Sequence, residues 1–225
     1  MAEGDGRKVY DALLKSYRRQ ALSYDQRWHY YNSATLRATM EAMPRGTSGR
    51  GLDAGCGTGL LEEAIQRIHP HFRVIGVDLS LSMLRQARSK SWIANHGNWC
   101  NALSEELPFS SGSIDGVVCA NSFHYFRQPL RAVEEFRRVL RPNGWLVLTD
   151  WCDDFLTCRI CNWVLKVVDP ARFRMYGMKQ CENLLSAAGF QIERARRFKI
   201  DRLWGLMTFR ACIESAADPA SLNEK

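Results

Sequence analysis

The chain has 225 residues, 46 % hydrophobic and 24 % charged, the balance of a folded globular protein and not of a disordered one. Its formal charge of +7 and pI of about 9.1 permit nucleic-acid, acidic-lipid or anionic-substrate partners without requiring one. No apolar run approaches the ~20 residues that cross a bilayer. Glu3, Gly4 and Asp5 stand where a secretory leader has its apolar core, so a cytoplasmic chain with no membrane partner and eight reduced cysteines is expected.

Residues 1–45 read as an N-terminal helical cover. Val9, Leu13, Tyr17 and Ala21 fall on one helical face at i+4 steps. The aromatic cluster Tyr24, Trp28, His29, Tyr30 and Tyr31 follows, and Leu36, Met40 and Met43 mark a second face ended by Pro44 and Gly46. From residue 46 to 225 strand and helix alternate as one domain. Leu52 to Ala54 close a strand that runs into Gly55-Cys56-Gly57-Thr58-Gly59, and Leu61, Ala64, Ile65 and Ile68 make the next helical stripe. Arg73 to Val77 is a second strand, with Ser80 as N-cap of a helix holding Met83 and Leu84. Trp99 marks a short third strand and Ile114 to Cys119 a fourth. Ala132, Val133, Phe136, Val139 and Leu140 give a helix that Pro142-Asn143-Gly144 stops, before a fifth strand from Trp145 to Thr149. The stretch 151–185 reads as an inserted substrate cap, rich in Cys, Asp and aromatics. Residues 191–199 and 203–211 form a terminal hairpin whose solvated face carries Arg194, Arg196, Arg197, Lys199 and Arg202. The sum is an α/β chain of seven strands, mostly parallel, with helices on both faces and an antiparallel C-terminal hairpin strand.

The chemistry is concentrated at Leu52-Asp53-Ala54-Gly55-Cys56-Gly57-Thr58-Gly59. Glycines let the backbone turn tightly and let a ligand approach with no Cβ in the way. The amides of the turn and of the following helix N-terminus offer positive partial charge. Asp78 ends the next strand, 19 positions after Gly59, and suits a carboxylate that accepts both hydroxyls of a ribose. The pattern is G-x-G-x-G and not the G-x-G-x-x-G of dinucleotide binders, so no diphosphate needs cradling if the ligand is a nucleoside.

Here the sequence resembles the class I S-adenosylmethionine-dependent methyltransferases, and within them the small-molecule branch of methyltransferase type 11 that includes the quinone methyltransferases. The resemblance rests on Leu52 to Gly59, Val74-Ile75-Gly76-Val77-Asp78-Leu79-Ser80, Leu107-Pro108-Phe109, Ser113-Ile114-Asp115-Gly116-Val117-Val118 and Arg138-Val139-Leu140-Arg141-Pro142-Asn143-Gly144, in the family's order and spacing. It implies a Rossmann-like fold, S-adenosylmethionine as cofactor and S-adenosylhomocysteine as product. It also implies that Asp53, Gly55 and Gly57 line the methionine end, that Asp78 holds the ribose, and that Leu79 and Met83 flank the adenine. Asn121, Ser122 and Phe123 would then lie near the sulfonium. The family often has an acidic residue before Leu-Pro-Phe to meet the adenine amino group. That place is Leu103 here, and Asn101 fills it only with a shift.

For the acceptor side, alignment and a dry pocket do most of the work, because the methyl is already activated. A general base helps if the acceptor must lose a proton. His124, with Tyr125 after it, is the first candidate, and Asp150 at the end of the fifth strand, with Asp153 and Asp154 beyond it, is the second. Tyr24, Trp28, Tyr31, Trp151 and Asp153 are the candidate acceptor contacts, the aromatics favouring a flat or cationic molecule. Cys158 and Cys161 give one C-x-x-C pair in apolar surroundings, too little for a closed zinc site, so no metal is expected.

The reading is an enzyme that moves a methyl group to an O, N or C atom of a small aromatic or amine-containing molecule, acting as a monomer or homodimer. Alternatives are a nucleic-acid or protein methyltransferase, or a non-catalytic module that binds the cofactor. The Asn-Pro-Pro-Tyr signature of adenine methylation is replaced by Asn121-Ser122-Phe123-His124, and the Pro-Cys of cytosine methylation is absent. Nucleic acid is therefore not the expected partner.

Overall fold

The computed structural model describes residues 3–90, 98–168 and 174–213. The Val9 side chain, residues 91–97 and 214–225 of the 46–225 domain, and residues 169–173 of the 151–185 stretch lie outside the described residues. Helices α1 (Glu3–Gln20), α2 (Tyr24–Arg27) and α3 (His29–Ala42) precede β1 (Gly49–Ala54). The chain continues through α4 (Leu60–Ile68), β2 (Phe72–Asp78), α5 (Leu81–Arg88), β3 (Asn98–Asn101) and β4 (Ile114–Ala120). A 3-10 turn at Phe123–Tyr125 leads to α6 (Pro129–Val139) and β5 (Leu140–Trp151), and then to α7 (Leu156–Val168), α8 (Met178–Ala187), β6 (Gln191–Lys199) and β7 (Gly205–Cys212). The strand order is β3-β2-β1-β4-β5-β7-β6. Strands β1 to β5 pair in parallel, and β7 is antiparallel to both β5 and β6.

Both faces of the sheet are covered, so its central strands carry unbroken apolar runs, Val117 to Cys119 in β4 and Leu146 to Leu148 in β5, instead of a strict alternation. Along β4, Val117 and Cys119 pack on α6 and α8 through Ala132, Val133, Phe136, Cys181 and Leu185. Val118 between them points the other way, toward Ala42 and Met43 at the end of α3 and Leu61 and Ile65 of α4. Helix α3 is thus a layer of the domain as well as part of the N-terminal segment. Its own Thr35, Ala38, Thr39 and Ala42 are buried.

Two local expectations are corrected. Pro142-Asn143-Gly144 does not stop α6, which ends at Val139; the three residues lie inside β5. Pairing with β4 begins at Leu140 and passes a register shift between Ile114 and Gly116, with Asn143 in the left-handed region (φ 62°), so the turn residues make a bulge and not a terminus. Ile68, assigned to the buried stripe of α4, is 64 % exposed. Ser80 does cap α5, its hydroxyl accepting the Met83 N–H at 3.4 Å.

The order of the parallel strands reverses between β1 and β4. Such a reversal opens a crevice at the carboxyl ends of the strands, where ligands bind in open α/β sheets.

Candidate functional site

Two cavities lie at that crevice. The first spans about 950 Å³, part of it open to solvent, between the loop after β1, the ends of β2 and β4, and helix α1. Asp53, Gly55, Gly57, Asp78, Leu79, Met83 and Asn121 all line it, as expected. Gly57 takes a φ of 54° with open space where a Cβ would stand, so its backbone faces the cavity bare. Gly55 serves packing: a Cβ there would overlap Ser122, whose hydroxyl donates to the Ala54 carbonyl at 2.7 Å. Asp78 fixes the loop. Its Oδ2 accepts the Gly57 N–H at 2.9 Å and its Oδ1 the Ser80 N–H at 2.7 Å. Burial pushes the Asp78 carboxyl up to about 6 against the pull of those two N–H groups.

The second cavity, about 720 Å³, opens beside the first. Tyr24, Trp28, Tyr31 and Trp151 form its walls together with His124, Tyr125 and Tyr17. Tyr31 meets Trp151 edge-on at 5.7 Å between ring centroids, and His124 stacks on Trp151 at 5.0 Å. Asn121 lines both cavities, as do Tyr17, Tyr24 and Tyr125. Its φ of 56° is a conformation that costs a non-glycine residue energy and clusters at functional sites.

His124 and Asp150 form a buried pair. Asp150 Oδ1 lies 2.7 Å from His124 Nδ1, and Asp150 Oδ2 accepts the His124 backbone N–H at 3.1 Å. An ionised carboxylate only accepts, so the hydrogen of this contact lies on Nδ1. Burial raises the phenols of Tyr17, Tyr24 and Tyr31, which therefore remain O–H donors at neutral pH.

The structure corrects several expected roles. Asp150 lines neither cavity and contacts His124 behind the second one. Asp153 lines neither cavity, and its carboxylate accepts from Asn162 Nδ2 at 3.3 Å. Asp154 reaches away from the site to accept the Met178 N–H at the start of α8, at 3.0 Å. Asn101 turns its amide onto the carbonyls of Asp78 and Leu79, both at 2.9 Å, bracing the acidic strand end instead of facing a ligand. Leu103 and Ser104 line the cavity in its place. Phe123 is buried in the core against Phe126 and Tyr176. His29 and Tyr30 stand outside the aromatic cavity, the Tyr30 hydroxyl donating to the Ile200 carbonyl at 2.7 Å.

Sequence reasoning also missed contributors. Tyr10, Leu13 and Leu14 of α1 wall the first cavity. Tyr10 ties α1 down by donating to Glu105 Oε1 at 2.7 Å. Asp25 of α2 accepts from the Thr58 hydroxyl and pairs with Lys90 at 2.8 Å. Among the described residues, no group of three His, Cys, Asp or Glu stands close enough to hold a metal ion. No described helix is long and apolar enough to cross a membrane.

Residues 52–148 match the family described as "Methyltransferase domain". Over those residues, under half of the chain, the sequence is similar to methyltransferase domains. The ubiquinone/menaquinone biosynthesis C-methyltransferase UbiE of Syntrophotalea carbinolica is 33 % identical over 152 residues, covering 65 % of this chain and 61 % of that protein. The malonyl-(acyl-carrier protein) O-methyltransferase of Legionella pneumophila is 32 % identical over 98 residues, or 44 % of this chain and 34 % of that one. The chain thus spans less than two thirds of either curated relative. The fold matches 1,6-didemethyltoxoflavin-N1-methyltransferase of Burkholderia thailandensis, whose structure holds its substrate and S-adenosylhomocysteine. The TM-score is 0.71 at 17 % identity, over 93 % of this chain and 90 % of that one.

S-adenosylmethionine is the cofactor of this class, and the residues of the first cavity fit it. Asp53 Oδ1 and Asn121 Oδ1 are buried acceptors with no donor among the described residues. A ligand that brings ammonium and hydroxyl donors supplies what they lack. Asp78 keeps acceptor capacity beyond its two backbone bonds.

Proposed function

We propose that the chain is an S-adenosylmethionine-dependent methyltransferase whose acceptor is a small flat molecule held in the aromatic cavity. The observation that carries this reading is the meeting of the two cavities at Asn121. One has an acidic strand end and a bare glycine loop. The other has aromatic walls and the His124–Asp150 pair.

S-adenosylmethionine, when bound, supplies a methyl carbon already activated on a sulfonium. Asp53 and Gly57 hold its methionine end, Asp78 its ribose, and Leu79 and Met83 its base. Tyr24, Trp28, Tyr31 and Trp151 clamp the acceptor and exclude water, which is the main contribution a protein makes to such a displacement. His124 Nε2 takes the proton the acceptor loses, and Asp150 fixes the imidazole tautomer and stabilises the imidazolium that forms. A phenol, enol or acidic carbon uses that base directly. Arg27 is the one charged residue among the described lining of this cavity, so nothing there neutralises a cationic amine. The same sparseness of cations speaks against a nucleic-acid strand, whose phosphates would need several.

Transfer of labelled methyl from S-adenosylmethionine into a panel of phenols, acidic carbons and amines tests the reading. Product with a hydroxyl or carbon acceptor, lost in His124→Ala, supports it. Turnover on oligonucleotides in preference to every small molecule would overturn it.

A further inference from the structure

Behind the first cavity stands a buried acid that no role above uses. Glu62, one turn into α4, is 6 % exposed, and both its carboxylate oxygens lack a hydrogen-bond donor among the described residues. It stands beside Asp53, which is 2 % exposed and whose Oδ1 likewise has no donor. Asp53 pairs with Gly76 across β1 and β2, and a Cβ built on Gly76 would lie 2.5 Å from Glu62 Oε1, so the two carboxyls share one buried corner of the sheet, where both cannot be ionised. Asp53 borders the cavity and Glu62 lies behind it.

We propose that Glu62 is a positioning residue that shares one proton with Asp53, and that this proton is expelled to solvent when a cationic amino group docks on Asp53. The proposal rests on the reading of this cavity as the cofactor site. Charge balances. The empty pair with its proton carries one negative charge. The occupied pair carries two, offset by the ligand's ammonium, and the proton goes to water. Glu62 gives the pair a second buried ionisable group, and affinity depends on pH through the pair.

The surrounding groups agree with this direction. Burial raises Glu62 first and the Asp53 charge raises it further, while Lys90, engaged by Asp25 at 2.8 Å, pulls it down less. Burial raises Asp53, and the nearby Asp78 adds to it. The Cys56 thiol is raised by burial and by Glu62, Asp78 and Asp53, and stays neutral. A carboxyl raised in the folded state holds its proton beyond the ordinary carboxylate range. The empty fold therefore loses stability as pH rises from about 4 through neutrality, and a bound cation restores it.

The test is calorimetric titration of the intact protein with S-adenosylhomocysteine from pH 6 to 9, in two buffers of different ionisation enthalpy. The wild type should release about one proton at pH 7 and tighten by up to about tenfold per pH unit through the neutral range. In Glu62→Gln the side-chain amide donates to Asp53 and favours its ionised form, while burial and Asp78 still raise it. Proton release at pH 7 should be smaller than the wild type's, affinity at pH 7 should equal or exceed the wild type's, and the pH dependence should shift toward the acid side, where Asp78 titrates at about 6. The empty variant should also melt higher than wild type at pH 8. Binding by the wild type with no proton release and constant affinity from pH 6 to 9 overturns the proposal whether or not the variant folds. Absence of binding at every pH would instead overturn the cofactor reading itself.

Discussion

Removing the Asp78 carboxylate is the sharpest single perturbation of the cofactor side. Its two oxygens each accept one backbone N–H, from Gly57 at 2.9 Å and Ser80 at 2.7 Å. A carboxylate has about four acceptor positions, so about two remain for the ribose hydroxyls. Each such bond to a charged group is worth about 1.5–3 kcal/mol. Asp78→Ala loses both, a sum of about 3–6 kcal/mol that water entering the gap reduces toward its lower end. The Kd for S-adenosylhomocysteine should rise about 10²–10³-fold. Asp78→Asn keeps one acceptor oxygen and turns an NH₂ toward a former N–H partner, so a rise of about 10–10²-fold is expected. Titration at pH 7.5, with thermal melts to establish folding, reads both. Affinities within threefold of wild type in two variants that melt normally would refute the ribose assignment. The same carboxylate gives the wild type an acid limit: the ionised form binds, so affinity should fall as pH drops through about 6.

His124→Ala should lower turnover about 10²-fold or more while leaving S-adenosylhomocysteine affinity within about threefold, because His124 lines only the aromatic cavity; an equal loss of cofactor affinity would point to collapse of the loop. Asp150→Asn should behave similarly in turnover, through loss of the fixed tautomer, and should also cost about 1–3 kcal/mol of stability for the buried N–H groups of His124 and Trp151 it now accepts. Turnover near wild type would remove the base role. Gly57→Ala places a Cβ at a φ of 54°, a strain of about 1–3 kcal/mol, and points it into the ligand space, so binding should weaken at least about tenfold with a modest drop in melting temperature; unchanged binding would show that the loop does not approach the ligand. Phe136→Ala, which empties a fully buried position between α6 and the sheet, should destabilise by about 3–5 kcal/mol in denaturant titration, and a cost below 1 kcal/mol would contradict the packing described.

The sheet was legible because burial on both faces writes itself into sequence. Val117 to Cys119 and Leu146 to Leu148 are unbroken apolar runs, and a glycine loop and an acid end the first two strands. Pro142-Asn143-Gly144 misled because turn residues mark bulges as well as helix ends, and only the β4 partner decides between them. On the aromatic side the expected residues came together, since Tyr24, Trp28 and Tyr31 sit close in sequence and the strand-end position of Trp151 is set by the fold. What the sequence did not carry was side-chain direction. Asn101 and Asp153 occupy plausible places and turn to backbone or a neighbouring amide instead. Tyr10 and Glu62 were invisible for a related reason. One needs the position of α1 over Glu105, and the other resembles any acid in the first turn of a helix until Asp53 is seen beside it.

The most direct measurement is titration of the purified wild-type chain with S-adenosylhomocysteine, with NAD as control. Micromolar binding of the nucleoside and none of the dinucleotide is the predicted result. Binding of NAD, or no binding of S-adenosylhomocysteine by a folded sample at any pH from 6 to 9, would contradict the account.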